Sequence, residues 1–192
     1  MKFISIALLL LSPAILLAQQ EPDKIEIEER ISEDEVPDLV KQRMSMLFDT
    51  KAKIKWYQER NESFQNFEAK VVKNKRRYSI EFDTLFNIQD IEVEYDLDEL
   101  SEETKTGLTN YFDSNYSSYK IRRIQLQLSG DFESLAKYCK EGILDQLRIR
   151  YEIEFEGKEE DSFIYYEGLF EKSGSLVKRR HIILNTSDNI SY

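Results

Sequence analysis

The strongest constraint in this sequence is the alternation of apolar and polar residues along four short runs between residues 53 and 95. In a β-strand, successive side chains point to opposite faces, so a period of two places the apolar side chains of a run on one face. The pattern predicts an antiparallel sheet with one face covered by helices and the other open to water or to a partner. The apolar residues that share a face within their runs are Ile54 and Trp56; Phe67, Ala69 and Val71; Tyr78, Ile80 and Phe82; and Ile91, Val93 and Tyr95.

Each half of the chain begins with helical spacing and continues with strand-like runs. Ser32 followed by Glu35 is a capping-box pattern, and it predicts a first helix over about 34–48. Ser101 begins a second predicted helix, which continues through Phe112. The predicted strands are 53–59, 64–73, 77–82 and 88–95 in the first half, and 119–128, 147–156, 162–169 and 175–184 in the second.

Comparison of the chain with itself favours an internal duplication. Residues 67–70 match 151–154 at an offset of 84, and residues 48–50 match 112–114 at an offset of 64. The difference predicts an insertion in the second half, near 129–148. We therefore expect an α+β fold. It is a tandem repeat of one main helix plus a four-stranded antiparallel meander, with the helices on one sheet face and the other face open.

This interpretation divides the chain into segments of different character. The predicted segments are a signal peptide at 1–18, a polar N-terminal segment at 19–32, repeat 1 at 33–98, repeat 2 at 99–184 and a polar tail at 185–192.

The first segment has the pattern of a secretory signal peptide. Lys2 precedes an apolar run, and Ala18 ends the segment before the polar residues that begin at Gln19. Ser12-Pro13 interrupts the run, which is too short for a membrane helix of about 20 apolar residues. We therefore expect a periplasmic or secreted protein with no membrane span after signal cleavage.

Composition argues against several classes of function. The chain has 27 Lys and Arg against 37 Asp and Glu, and a net charge of −10 does not suit nucleic acid as a partner. A single cysteine, Cys139, and a single histidine, His181, cannot form a Cys/His zinc site or an intramolecular disulfide. No phosphate-binding or nucleophile motif accompanies them. We therefore expect no enzyme activity and no cofactor.

Two acidic ladders are the remaining candidates for chemistry. Glu92, Glu94 and Asp96 alternate along one run, and a second ladder occupies alternate positions of 152–156. A calcium ion needs six or more oxygens that converge on it, which one strand cannot supply. We therefore expect a solvated polar face here and no metal site.

Three short stretches carry a resemblance to a known family. They are Val36-Pro37-Asp38-Leu39-Val40 at the start of the first helix, Lys53-Ile54-Lys55-Trp56, and Tyr78-Ser79-Ile80-Glu81-Phe82-Asp83. With the predicted layout, they resemble the PepSY-like family of secreted bacterial proteins, whose fold is like that of the β-lactamase inhibitor protein. The resemblance implies an exported, non-enzymatic module whose two repeats share a curved sheet with an open concave face.

In the inhibitor that gives the fold its name, the concave face grips a protein. The inhibitor's disulfides are absent from this chain, and none of its enzyme-blocking loops can be matched residue by residue. Inhibition of β-lactamase therefore does not follow from the resemblance.

Aromatic and basic residues on the predicted open face form the candidate contact patch. We expect an exported protein-binding module whose partner is a protein or peptide of the envelope, with inhibition of an envelope or secreted enzyme as one form of this function. The alternative is a small-ligand or cation-binding protein of the cell envelope. The predicted binding residues are Tyr57, Phe163, Tyr165, Lys53, Lys55 and Arg77.

Overall fold

The computed structural model describes residues 19–20, 28–48, 52–60 and 65–182. The predicted signal peptide and the polar tail lie outside these residues. Within them, the strands are β1 (Gln19–Gln20), β2 (Glu28–Ile31), β3 (Ile54–Arg60), β4 (Gln65–Lys73), β5 (Arg76–Phe82), β6 (Ile88–Tyr95), β7 (Tyr119–Ser129), β8 (Arg148–Glu159), β9 (Ser162–Glu171) and β10 (Leu176–His181). The α-helices are α1 (Asp38–Leu47), α2 (Glu102–Asn115) and α3 (Phe132–Glu141).

All strands belong to one sheet. Strands β2 to β10 are antiparallel neighbours in chain order, and the two-residue β1 pairs in parallel with β10 at the far edge. The sheet is continuous across the middle of the chain because β6 pairs with β7 from Ile91 opposite Leu128 to Tyr95 opposite Ile124.

The predicted tandem repeat of a helix plus a four-stranded meander is therefore wrong. Among the described residues, five neighbouring strands, β2 to β6, precede α2 and four follow it, so the sheet does not divide into two four-stranded units. The helices are also unequally distributed, since two of the three, α2 and α3, follow β6, with α3 between β7 and β8. The described residues form one sheet, antiparallel from β2 to β10, with three helices, and not two equivalent halves.

The first helix begins later than the sequence predicts. The capping box between Ser32 and Glu35 exists, with Glu35 accepting a hydrogen bond from the Ser32 amide at 2.9 Å, but it caps a 3₁₀ turn at Glu33–Glu35. Pro37 then precedes α1, a position where its missing N–H costs no helical hydrogen bond. The predicted capping box is confirmed, but the α-helix begins after Pro37, at Asp38 and not near residue 34.

The hairpin between β4 and β5 is a two-residue turn. Asn74 and Lys75 both have positive φ, 53° and 65°. A pair of left-handed residues gives a turn whose twist matches that of the flanking strands. The turn fixes Phe67 opposite Phe82 and thereby the face of every side chain in both strands.

The sheet is strongly bent. A flat sheet of ten strands would hold its outer strands about 43 Å apart, at about 4.8 Å per interval. Gln20 lies in one outer strand and Glu28 in the other, and the eight Cα steps between them reach at most about 29 Å. The two edges must therefore curve toward each other.

Side chains of all three helices contact the apolar side of the sheet. In α1, the capping residue Phe48 packs edge-on against Tyr78, and in α2 Phe112 packs against Phe155 with ring centroids 4.8 Å apart. In α3, Leu135 and Cys139 belong to the same buried cluster. These contacts assign one face of the sheet to the core.

Candidate functional site

The face of the sheet opposite the core carries polar and charged side chains. Its residues alternate with the core residues along each strand, so Glu92 lies between the buried Ile91 and Val93. Several of its side chains are almost completely buried, which is consistent with an inwardly curved surface. Those below one-tenth exposed are Ser79, Asp90, Glu92, Gln125 and Glu167.

Three carboxylates meet at the centre of this polar face. Glu81 in β5 lies directly opposite Asp90 in β6, and Glu92 follows two positions later on the same face. One carboxylate oxygen from each lies within 4.8 Å of the other two. We call these three residues the acidic centre.

Glu92 is the most buried member of the acidic centre, with 4% of its surface exposed. Gln125 in β7 donates a hydrogen bond from Nε2 to its Oε2 at 2.7 Å. Burial raises the pKa of Glu92 well above its usual range, and the nearby Glu152, Glu81 and Asp90 raise it further, against the opposing effect of Arg123. The centre therefore favours a proton or another cation.

Ion pairs flank the acidic centre on both sides. Toward β9, Arg123 pairs with Glu154, which also accepts a hydrogen bond from the Tyr165 hydroxyl, and Arg180 Nε donates to Glu167 at 2.6 Å. On the other side, Lys70 lies 3.0 Å from Glu68. Opposite charges thus alternate across the polar face and hold its side chains in place.

Two of the predicted binding residues lie together in β3. Tyr57 and Lys55 share the polar face, and Lys70 Nζ lies 4.6 Å from the centre of the Tyr57 ring. Lys53 precedes the strand and is exposed. Arg77 lies two strands away in β5, largely exposed, at 3.5 Å from Glu94.

The other two predicted residues lie six strands further along the sheet. Phe163 and Tyr165 are both in β9, on the polar face, with Phe163 54% exposed and opposite Lys158. Six strand intervals separate β3 from β9, which corresponds to about 29 Å along the sheet. In the order of the strands, the six predicted residues therefore belong to two regions of one sheet, four at β3 to β5 and two in β9.

The sequence pattern did not predict the acidic centre. The ladder of Glu92, Glu94 and Asp96 suggests a solvated face, but only Asp96 is exposed, and Glu92 is buried. The proximity of Glu81 to Asp90 depends on the register of β5 and β6, which includes an irregularity at Glu81–Phe82. One feature of the sequence does indicate this proximity. The short loop after Phe82 returns β6 antiparallel to β5, which places Asp90 near Glu81.

A separate groove lies between α1 and β3. It has a volume of about 390 Å³ and is open to solvent. Its apolar lining is Met44, Phe48, Ile54 and Trp56, and its polar lining is Glu33, Lys41, Gln42 and Ser45.

Comparison with known proteins shows the fold alone. No protein-family model matches the chain, and no curated protein matches it. The crystal structure of a DUF2874 family protein from Bacteroides uniformis superposes with a TM-score of 0.50 at 15% identity, covering 76% of this chain and 89% of that one. A crystal structure from Bacteroides eggerthii, described as "putative periplasmic proteins", gives a TM-score of 0.52 at 16% identity, covering 79% and 94%.

None of the helices in 28–48 and 65–182 is long and apolar enough to cross a bilayer.

Proposed function

We propose that this chain is an exported, non-enzymatic protein-binding module that holds a protein or peptide partner against the polar face of its bent sheet. The partner lies in the periplasm or outside the cell. One form of this function is inhibition of an envelope or secreted enzyme. The sequence resemblance to the PepSY-like family, in which such a face is open, supports the proposal.

The observation that carries the proposal is the breadth and order of the polar face. It extends from Tyr57 in β3 to Tyr165 in β9, and the described helix contacts lie on the opposite side. Internal pairs such as Arg123 with Glu154 fix its side chains before a partner arrives, which lowers the entropy lost on binding. A surface of this width suits a protein partner better than a small molecule.

The polar face carries an aromatic side chain near each end, and such side chains suit contact with a protein partner. Tyr57 and Phe163 are both on it, and aromatic side chains are enriched at the energetic centres of interfaces. They lie six strand intervals apart in the same sheet, so a partner that contacts both covers the polar face from β3 to β9.

Two observations support an envelope location. The first is the signal-peptide pattern of residues 1–18. The second is that a structure with a similar fold comes from a protein described as "putative periplasmic". Neither depends on the nature of the partner.

The test is site-directed photocrosslinking in cells that make the protein. A benzophenone amino acid replaces Phe163, which is exposed on the polar face, and in a matched control it replaces Leu97, which is 49% exposed in the 3₁₀ turn after β6. We expect a discrete crosslinked partner with the probe at 163 and none at 97, together with export of both variants to the periplasm.

The outcome also separates binding from location. Export without any crosslink at 163 would exclude the polar face as the binding surface. Retention of the chain in the cytoplasm would contradict the export part of the proposal. A crosslink at both positions would indicate nonspecific contact and would also count against the proposed face.

The second candidate is a cation-binding protein of the envelope, and the acidic centre is the observation that favours it. Carboxylate oxygens of Glu81, Asp90 and Glu92 within 4.8 Å of one another could supply three of the six to eight oxygens that Ca²⁺ takes. Gln125, whose side-chain nitrogen donates a hydrogen bond to Glu92, also carries a carboxamide oxygen, which is a further type of calcium ligand.

Calorimetric titration with CaCl₂ distinguishes this candidate from protein binding. Specific binding would be lost in Asp90→Asn and kept in Glu133→Gln, a control on the exposed side of α3. Absence of heat with the parent chain at millimolar CaCl₂ would exclude a calcium function and leave the protein-binding proposal unaffected.

A further inference from the structure

One corner of the polar face is basic, although the net charge of the chain is −10. Lys55 in β3 lies directly opposite Lys70 in β4, and Lys53 comes two positions before Lys55. In the next row, Val72 in β4 lies directly opposite Arg77 in β5. Neighbouring strands lie about 4.8 Å apart, so these side chains are close neighbours. We call Lys53, Lys55, Lys70, Val72 and Arg77 the basic corner.

The lysines of the basic corner are incompletely balanced by acidic groups. Lys55 and Lys70 form a directly opposed pair of like charges, which repel each other. Glu68 lies 3.0 Å from Lys70 and relieves part of this repulsion. None of the acidic side chains that the structure describes pairs with Lys53 or Lys55, and both lysines are exposed. Their positive charges can therefore meet an acidic group from outside the chain.

Arg77 adds a third positive charge that a partner can reach. Its side chain is 75% exposed, and its ion pair with Glu94, at 3.5 Å, is also open to solvent. Ion pairs in such a position contribute little to stability. Arg77 can therefore exchange Glu94 for an acidic group of a partner at little cost to the fold.

An exposed apolar side chain lies among these cations. Val72 is 63% exposed, although it occupies a polar-face position opposite Arg77. Tyr57, two positions after Lys55 on the same face, is half-buried, and the centre of its ring lies 4.6 Å from Lys70 Nζ. Apolar and aromatic side chains within a charged rim are typical of protein interfaces.

We propose that the basic corner binds an acidic segment of the partner protein, with an apolar residue of that segment against Val72 and Tyr57. This inference rests on the proposed function, to which it adds the chemistry of the partner. Carboxylates of the segment pair with the free lysines and with Arg77, and these pairs speed association and fix the orientation. Burial of the apolar residue supplies further attraction.

The acidic centre limits how far the acidic segment can extend. Lys55, Lys70, Ser79 and Glu92 follow one another in a single row across β3 to β6. Glu92, at the end of this row, repels a carboxylate. The acidic residues of the segment therefore lie over β3 and β4, and the segment is neutral or basic where it reaches β6.

A segment of a protein fits the basic corner better than an anionic membrane does. A flat bilayer surface would also meet Glu68 and Glu94, which border the corner. The net charge of −10 opposes its approach as a whole. A single segment can avoid both acidic side chains.

Fluorescence anisotropy with a synthetic acidic peptide tests the proposal. The probe is a rhodamine-labelled peptide of six glutamates and two leucines, titrated with the exported chain in 50 mM NaCl. We expect saturable binding whose affinity falls at least fivefold in 300 mM NaCl, because salt screens exposed charges. The same peptide with glutamines in place of the glutamates should not bind.

Charge reversal at the two free lysines locates the binding site. The double variant Lys53→Glu, Lys55→Glu should weaken peptide binding at least tenfold. The matched control is Lys137→Glu, Lys172→Glu, at exposed lysines of α3 and of the turn after β9. It changes the net charge by the same amount and should alter the affinity by less than twofold.

Stability provides an independent readout for the same variants. Lys55→Glu converts a repulsive pair with Lys70 into an attractive one, so the urea midpoint of the double variant should not fall. Lys55→Gln, which removes one charge without reversing it, should weaken peptide binding about threefold. Circular dichroism verifies that each variant is folded.

Three results would overturn the proposal. The first is no binding of the acidic peptide at 500 μM chain. The second is an equal loss of binding in the double variant and in its matched control, which would indicate long-range charge alone. The third is binding to phosphatidylglycerol vesicles that depends on Lys53 and Lys55 in the absence of peptide binding, which would assign the corner to a membrane.

Crosslinking from position 163 keeps this test separate from that of the proposed function. Capture of a partner at 163 that persists in the variant Lys53→Glu, Lys55→Glu would retain the protein-binding function and remove the basic corner from it. Capture that is lost in this variant and kept in Lys137→Glu, Lys172→Glu would support both. Absence of capture in the parent chain would contradict the proposed function itself.

Discussion

Glu81 and Asp90 lie directly opposite each other on neighbouring strands, and both carboxylates point to the polar face. Like charges in such a cross-strand pair repel, and Glu92 adds a third carboxylate to the same place. A folded chain keeps such an arrangement only where other interactions outweigh its cost. Here the core on the opposite side of the same strands, which includes Ile80 and Ile91, supplies that stabilisation.

The first prediction concerns the pH dependence of stability. The pKa of Glu92 is raised in the folded state by burial and by its acidic neighbours, so protonation favours folding. Ionisation of Glu92 lowers the free energy of unfolding as the pH rises from its unfolded-state pKa, near that of an ordinary glutamate, through its raised folded pKa. Stability should therefore be greater at pH 5.5 than at pH 8 in urea denaturation followed by circular dichroism.

The variant Glu92→Gln assigns this effect to one residue. A neutral amide keeps the size of the side chain and a partner for Gln125, so at pH 8 it should stabilise the fold by about 1–2 kcal/mol. The difference between pH 5.5 and pH 8 should shrink in the variant. Glu133→Gln on α3 serves as the control, and a drop in stability of Glu92→Gln at pH 8 would contradict the prediction.

Much of the local structure follows from sequence because it depends on near neighbours. Alternation placed β6 at 88–95, where the structure has Ile88–Tyr95, and β5 at 77–82, where it has Arg76–Phe82. The same alternation also predicts on which face of the sheet each side chain lies, because burial of one face requires apolar residues at every second position.

The local pattern could predict neither the register of β6 with β7 nor the acidic centre. The pairing of β6 with β7 joins residues on either side of the whole of α2, so no local pattern reports it. The burial of Glu92 depends on this pairing, because Gln125 of β7 is its hydrogen-bond donor. A charged residue in a polar run is usually solvated, and only the neighbouring strands make this one buried.

The second prediction concerns Trp56, which is 4% exposed in the core beside α1. Trp56→Ala should lower the free energy of unfolding by about 3–5 kcal/mol, because it removes a large buried ring and leaves a cavity. Leu97→Ala, at a largely exposed side chain, should change it by less than about 0.5 kcal/mol. Urea titration followed by far-UV circular dichroism measures both, and a loss below about 1 kcal/mol for Trp56→Ala would place the ring outside the core.

The third prediction concerns the close packing of Tyr116 on Gly157. A Cβ atom at position 157 would lie 2.4 Å from Cε1 of Tyr116, too close for the ring to stay in place. Gly157→Ala should therefore destabilise the fold by about 1–3 kcal/mol. The penalty should become smaller in a Tyr116→Leu background, where no ring opposes the methyl group, and equal penalties in both backgrounds would show that the ring is not the cause.

Gly142→Ala is the matched control for this substitution. Gly142 ends α3 with a φ of 76° and has nothing within 4 Å of the position of a Cβ atom. Its substitution should cost about 1 kcal/mol through backbone conformation alone, with no dependence on Tyr116.

The last prediction concerns Cys139, the only cysteine of the chain. Burial raises the pKa of its thiol to about 12, although the nearby Lys73 and Lys140 act in the opposite direction. The thiolate is the reactive form, and at pH 8 almost none of it is present in the folded protein. Iodoacetamide at pH 8 should therefore modify the folded chain at least a hundredfold more slowly than the chain in 6 M urea, as measured by intact mass. Labelling at equal rates, with the fold shown intact by circular dichroism, would mean that α3 opens from the sheet far more readily than its packing indicates.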